Sequence, residues 1–278
     1  MQIPSLQQLL EAGVHFGHRV SRGNPRMGRY IYGAREGVHI IDLEQSEKGL
    51  REAVEFVKNL GKNSQVLLFV GTKKQAQPIV EEQAKVVGAP FMTFRWIGGF
   101  LTNFEEISKN IKKLKELTEQ KEKGELSKYT KKEQLLIDRR IHKLRRDLSG
   151  VLDLEKLPDG LFVVDAAREV VALREAQRLG IKVAAIADTN SDPMLIDYPI
   201  PGNDDAIKSI KIIVETMAGA YGEGKKEAGK IAEKAEAKRV KDEEAQKVKL
   251  AQEVAEEVAA AEEEIEKKSV EEAGRKIE

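Results

Sequence analysis

The sequence predicts an α/β protein: a parallel sheet flanked by helices, an inserted antiparallel coiled-coil helical hairpin, and a charged C-terminal extension. Three observations carry this. Short continuous apolar runs such as Gln65–Gly71 (QVLLFVG) read as strands buried on both faces. These runs alternate with segments of helical spacing, which implies βαβ units and a Rossmann-like layering. Between two such stretches, residues 104–155 break the alternation with apolar residues at steps of three and four on a basic background.

Taken in order, Ser5 caps a short helix over Leu6–Ala12 that stops at Gly13. Residues 14–28, rich in Gly, Arg and His, read as a loop. Tyr30–Tyr32 and Val38–Ile41 form a β-hairpin about Ala34–Gly37. Leu43, Leu50, Val54, Val57 and Leu60 mark a long helix. After the Gln65–Gly71 strand, Ala76, Ile79, Val80, Ala84 and Val87 predict a helix over Lys73–Val87, and Phe91–Phe94 is a short strand. In the hairpin, Ile107, Ile111, Leu114 and Leu117 face Ile137, Ile141, Leu144 and Leu148 across a polar break at Gly124. Leu161–Asp165 and Lys182–Asp188 are further buried strands, joined by a crossover helix over Arg168–Leu179 that ends at Gly180. After Tyr198–Ile200, Asn203 caps a helix carrying Ile207, Ile210, Val214 and Met217. The expected organisation is thus 1–103 and 156–222 as two halves of one α/β domain, 104–155 as the insertion, and 223–278 as a helix-prone or disordered tail.

Charge sharpens the reading. The 278 residues carry 47 basic and 47 acidic side chains, a net of zero. Residues 223–278 hold 13 basic and 17 acidic, so the remainder is net +4 and the tail net −4. Within 105–150 the count is 14 basic to 9 acidic, net +5. The zero is a sum over unlike parts, as in a basic binding body with an acidic extension. Without cysteine, no disulfide framework, thiolate zinc site or cysteine nucleophile is available. The N-terminus shows neither a basic n-region nor an apolar h-region, and no run is long enough for a membrane span, so a soluble, cytoplasmic protein is expected.

The enzyme motifs of this fold class are missing. A dinucleotide site needs G-x-G-x-x-G after the first strand, but Gly71-Thr72-Lys73-Lys74 offers one glycine. Lys73 and Lys74 at a helix start can meet a phosphate, or can be a solvated pair at an ordinary turn. His15 and His18, with Asp188, Asp192, Asp204 and Asp205, have the ligand types of a divalent-metal site. Helix-start electrostatics explain Asp204 and Asp205 equally, and His15 and His18 suit loop hydrogen bonds or RNA contacts. Most informative is HRVSRGNPRMGRYIYGAR, where Arg19, Arg22, Arg26, Arg29 and Arg35 lie among glycines, Asn24 and Pro25. Arginine forks suit phosphate oxygens, and glycine lets backbone approach a ligand. In Arg95–Asn103 (RWIGGFLTN), at the carboxyl end of a strand, Arg95, Trp96 and Asn103 are candidate RNA contacts, and the alternative is that Trp96 and Phe100 anchor the hairpin to the sheet. Lys109, Lys112 and Lys113 on one hairpin helix, with Arg139 and Arg140 on the other, read as phosphate contacts or as a solvated face.

The chain resembles the bacterial-type small-ribosomal-subunit proteins of the universal family numbered two. The resemblance rests on LLEAGVHFGHR, NPRMGRYIYGAREGVHIIDL, LFVGTKKQA, RWIGGFLTNF, LPDGLFVVDAAREVVALREAQRLGI and IADTNSDPMLIDYPIPGNDDAIKSI, in order across about residues 5–222. Lys182 departs from it where the family usually has proline, and the tail is not covered. The resemblance implies an α/β domain with a protruding coiled coil and no catalysis or required cofactor. It further implies binding to 16S ribosomal RNA at the head/body junction, with neighbouring ribosomal proteins, including the large family-one protein, as partners. Neither DNA nor a membrane is expected as a partner. The competing class, a Rossmann-like nucleotide- or metal-dependent enzyme, has only the fold, Gly71–Lys74 and the His/Asp group behind it.

Overall fold

The computed structural model describes residues 3–230. The described fold forms one unit that extends to Ala228. The expected tail therefore lies almost wholly outside the described residues.

Five parallel strands make the main sheet: β4 (Leu67–Val70), β5 (Phe91–Met92), β6 (Gly160–Val163), β7 (Lys182–Ala187) and β8 (Tyr198–Pro201), in the order β5-β4-β6-β7-β8. Side chains alternate across it, as the period-two pleat requires. Leu67, Phe69, Phe162, Val164, Ala184 and Ile186 join one apolar layer. Helices α2 (Leu43–Lys62), α3 (Gln77–Val86) and the helix that starts at 207, α7, complete that layer, with α1 (Leu6–Glu11) at its edge. Leu68, Val70, Leu161, Val163, Val183 and Ala185 join the opposite layer. That layer includes α6 (Val170–Leu179) and the hairpin helices α4 (Phe104–Glu122) and α5 (Lys131–Leu148). Both faces are covered, which is why β4 and β6 are buried at every position and β7 at every position after Lys182.

Local signals explain several boundaries. Ser5 and Gln8 form a reciprocal capping box on α1. Gly180, at φ 71°, closes α6, and the Asn203 carboxamide oxygen accepts the Asp205 and Ala206 N–H groups before α7. Gly49 is fixed by packing: a Cβ there would sit 2.3 Å from the Pro199 carbonyl, so α2 rides directly on β8. Gly124, at φ 73°, ends α4, and a 3-10 turn over Glu125–Lys128 returns the chain into α5. Of the expected seam, Ile107, Ile111, Leu114, Ile141 and Leu148 are buried, while Leu117, Ile137 and Leu144 are half-buried against the same layer.

Three expectations need correction. The 14–28 segment is not all loop. Phe16–Arg19 is a strand, β1, pairing antiparallel with β3 (Val38–Ile41), which also pairs with β2 (Ile31–Arg35) through a Glu36-Gly37 turn. Both turn residues have positive φ, 52° and 78°, as a two-residue hairpin loop with the right twist requires. Helix α3 begins at Gln77 rather than Lys73, with Pro78 in its first turn. Ile207 is exposed at 60%, so the buried stripe of α7 starts at Ile210.

Candidate nucleic-acid interface

The arginine loop is a stable platform rather than a loose tether. Asn24 accepts the Arg26 N–H and opens a 3-10 turn over Pro25–Tyr30, whose Met27 and Tyr30 are buried against the sheet layer. Arg19, Arg22, Arg26 and Arg29 are left exposed. Arg29 lies over the Tyr30 ring, 4.6 Å from its centroid, and Arg26 reaches Asp192 at 2.6 Å while staying 61% exposed. Arg19 and Arg22 have no ion pair among the described residues. On the hairpin, Lys112, Lys113, Arg139 and Arg140 are likewise exposed and unpaired among the described residues, whereas Lys109 is shared with Glu105 and Glu106. Unpaired exposed cations retain their full charge for phosphate oxygens.

The Arg95–Asn103 segment is turned inward. The Trp96 indole N–H donates to Glu175 at 3.0 Å, and its ring meets Phe100 at 5.2 Å. Arg95 bonds Asp147 at the end of α5 at 3.1 Å. Asn103 precedes α4 without a side-chain cap bond. Trp96 thus anchors the hairpin, and Arg95 offers only its exposed remainder to a ligand. Sequence reasoning missed Glu175. It accepts five donors: Trp96 Nε1 and Gly99 N on one oxygen, and Leu101 N, Thr102 N and Thr102 Oγ1 on the other. Burial pushes its carboxyl up, but the indole and backbone donors outweigh this and hold it below the usual range. No local signal marks such a residue, since its partners lie more than seventy positions away.

At the carboxyl ends of the strands, β4 and β6 run into Lys73 and Asp165. This is the point in the strand order where doubly wound sheets open a ligand crevice. Here the protein's own side chains occupy it. Lys73 Nζ lies 2.6 Å from Asp205, 2.7 Å from Asp204 and 3.4 Å from Asp165. Lys73 is therefore engaged internally, and only Lys74 of that pair is exposed. Beside it, Thr72 donates to the buried Glu169 and accepts from Arg168. His18 Nδ1 sits 3.0 Å from Asp188, and its Nε2 3.6 Å from Asp205. The backbone enforces this: the His18 N–H donates to Thr189 Oγ1 at 2.9 Å, and a Cβ at Gly17 would lie 2.6 Å from the Thr189 side chain.

His18, Asp188 and Asp204 bring ligand atoms within 4.8 Å of one another, and Asp204 Oδ2 is buried without a hydrogen-bond partner. The Asp188 hydrogen bond raises the His18 pKa against the opposing effect of burial. Burial, with Asp165 and Asp188 nearby, pushes Asp204 up to about 7 despite Lys73. His15, expected as a fourth ligand, is not in this group: its ring packs on Phe16 at 4.0 Å, and burial lowers its pKa. Asp192 is held by Arg26 instead. Among the described residues, no helix is long and apolar enough to cross a membrane.

Comparison with known proteins agrees with this architecture. The family model described as "Ribosomal protein S2" matches residues 9–224. A small ribosomal subunit protein uS2 of Petrotoga mobilis is 51% identical over 225 residues, covering 81% of this chain and 78% of the relative. Those of Coprothermobacter proteolyticus and Wolinella succinogenes are 49% and 47% identical over the same 81% of this chain, covering 84% and 83% of theirs. On a match across nearly all the described residues, the chain belongs to the ribosomal protein S2 family.

Proposed function

We propose that this chain is a structural constituent of the small ribosomal subunit, working in the cytoplasm by holding RNA rather than by catalysis. The observation that carries this reading is the set of exposed cations without an ion pair among the described residues, on two separate supports, Arg19 and Arg22 on the small sheet and Lys112, Lys113, Arg139 and Arg140 on the hairpin. Family membership sets the class, and the filled crevice at Lys73 argues against a nucleotide there. The RNA is 16S ribosomal RNA at the head/body junction, met through phosphates and shape rather than base edges. Asn24, Arg26, Arg29, Lys74, Lys109 and the outer part of Arg95 extend the surface, and neighbouring ribosomal proteins, including the large family-one protein, dock beside it. The 104–155 hairpin is the inserted coiled-coil arm of this surface.

No cofactor is required, but a divalent cation fits His18, Asp188 and Asp204. The partnerless Oδ2 of Asp204 is the donor that fits best, while Lys73 competes for the same charge. Its role would be to hold β1 to the 188–205 segment.

Replacing Arg22, Arg26 and Arg29 together by alanine should weaken co-sedimentation with small subunits at moderate salt. The slope of log affinity against log salt should become shallower by about 0.7–0.9 for each phosphate that is no longer neutralised. Full incorporation with an unchanged slope would remove the loop from the interface.

A further inference from the structure

We propose that Glu175 is a positioning residue for RNA binding: its carboxylate holds the 95–103 loop and thereby fixes the α4–α5 hairpin at one angle to the sheet. This rests on the RNA-binding reading above. Glu175 sits on α6, between the buried Leu173 and Ala176, so its base is rigid. The loop it grips controls both ends of the hairpin. It runs straight into α4, with the Asn103 N–H donating to the Gly99 carbonyl at 2.8 Å, and Arg95 reaches back to Asp147 at the close of α5. The same loop therefore ties the entering helix and the returning helix to one buried acid.

The donor set admits only a carboxylate. All five groups that meet Glu175 are donors, divided between its two oxygens. A glutamine would turn an NH2 group toward N–H groups on one side, and an aspartate would fall short by one methylene. Five fixed directions on one side chain set orientation as well as energy. A hairpin held at one angle presents Lys112 and Arg139 in fixed relation to the arginine loop, so one RNA surface can meet both without an ordering cost on binding. Gly150 packs on the Phe91 backbone beneath the hairpin root, so losing the clamp loosens the angle without freeing the hairpin.

The chain has no cysteine, so spin labels can be placed at Ser127→Cys on the hairpin tip and Arg178→Cys on α6 with no background. Double electron–electron resonance on the full chain should give one narrow distance with Glu175 and a broader distribution with Glu175→Gln. RNA affinity should fall about tenfold in Glu175→Gln with its salt slope unchanged, because the same phosphates are still neutralised. Lys112→Ala/Lys113→Ala, which removes two cations, should lower the slope instead. Trp96→Phe deletes one donor and keeps the ring packing, so it should shift distance and affinity the same way by less. It decides the matter if Glu175→Gln does not fold. An unchanged distance distribution, or a slope that falls together with affinity, would overturn the proposal. A parent chain that fails to bind RNA would overturn the functional reading alone, and the spin-label distances would still judge the clamp.

Discussion

Two buried carboxylates in this molecule are handled in opposite ways. Glu175 is saturated: five neutral donors meet its two oxygens, and no cation is needed. Asp204 is not. One oxygen has Lys73, the other has no partner, and Asp165 and Asp188 add repulsion. The first acid is held below its ordinary range and the second is pushed to about 7. A buried charge surrounded by oriented dipoles is finished structure. A buried charge among other acids keeps a demand for a proton or a cation.

The largest effect is expected from Lys73→Met, which removes the cation from Asp165, Asp204 and Asp205. Breaking a buried pair by removing one partner costs about 3–5 kcal/mol, or roughly 10 °C in thermal midpoint for a chain of this size. A loss under about 2 °C by calorimetry would mean that the acids are stable without it. Asp204→Asn is expected to act in the other direction. In the range between its ordinary value of 3.8 and about 7, the folded chain retains a proton that the unfolded chain has released, so stability falls as pH rises through that window. In chelator-treated protein, the asparagine variant should match the parent near pH 4 and exceed it by several degrees at pH 8. Equal midpoints at both pH values would refute the raised pKa.

Glu175 should behave as the mirror image. Its contribution is fully present above its ordinary value of 4.5 and disappears as pH falls through the lower folded value. The emission of Trp96, the sole tryptophan, should therefore hold steady from pH 8 to 5 and change only in more acid solution. A midpoint near neutrality would contradict the saturated site. The smallest effect is expected at the Lys115–Asp153 surface pair, 3.6 Å apart with Asp153 fully exposed. Asp153→Asn should leave the thermal midpoint unchanged within error.

Much of the fold was legible in local pattern. The runs at β4, β6 and β7 are apolar because both sheet faces are covered, and Ser5, Asn203 and Gly180 act where their chemistry says. β1 was not legible. FGHR has no alternating apolar pattern, and its strand form comes from pairing with β3 and from Thr189, far along the chain. The start of α3 was in fact marked by Pro78, a residue favoured in a first helical turn, while the apolar spacing began earlier. In the candidate site, the exposed arginines were readable because charge density in a glycine-rich segment is a local property. The engagement of Lys73, the exclusion of His15 and the role of Glu175 were not, because each depends on residues the fold brings together from a distance.

The insertion of the hairpin between β5 and β6 also bears on how the sheet assembles. Val66 and Asp159, whose hydrogen bond closes the start of β6 against β4, are 93 residues apart in sequence. The hairpin has a local turn and local helix–helix packing, so it can form before that pairing and bring residues 103 and 148 together. Each halving of the remaining loop lowers the closure entropy by only about 0.6 kcal/mol, which is small for stability but acts directly on rate. The hairpin then also acts as a shortcut along the folding path, and weakening it is expected to slow the closing of a sheet it does not belong to.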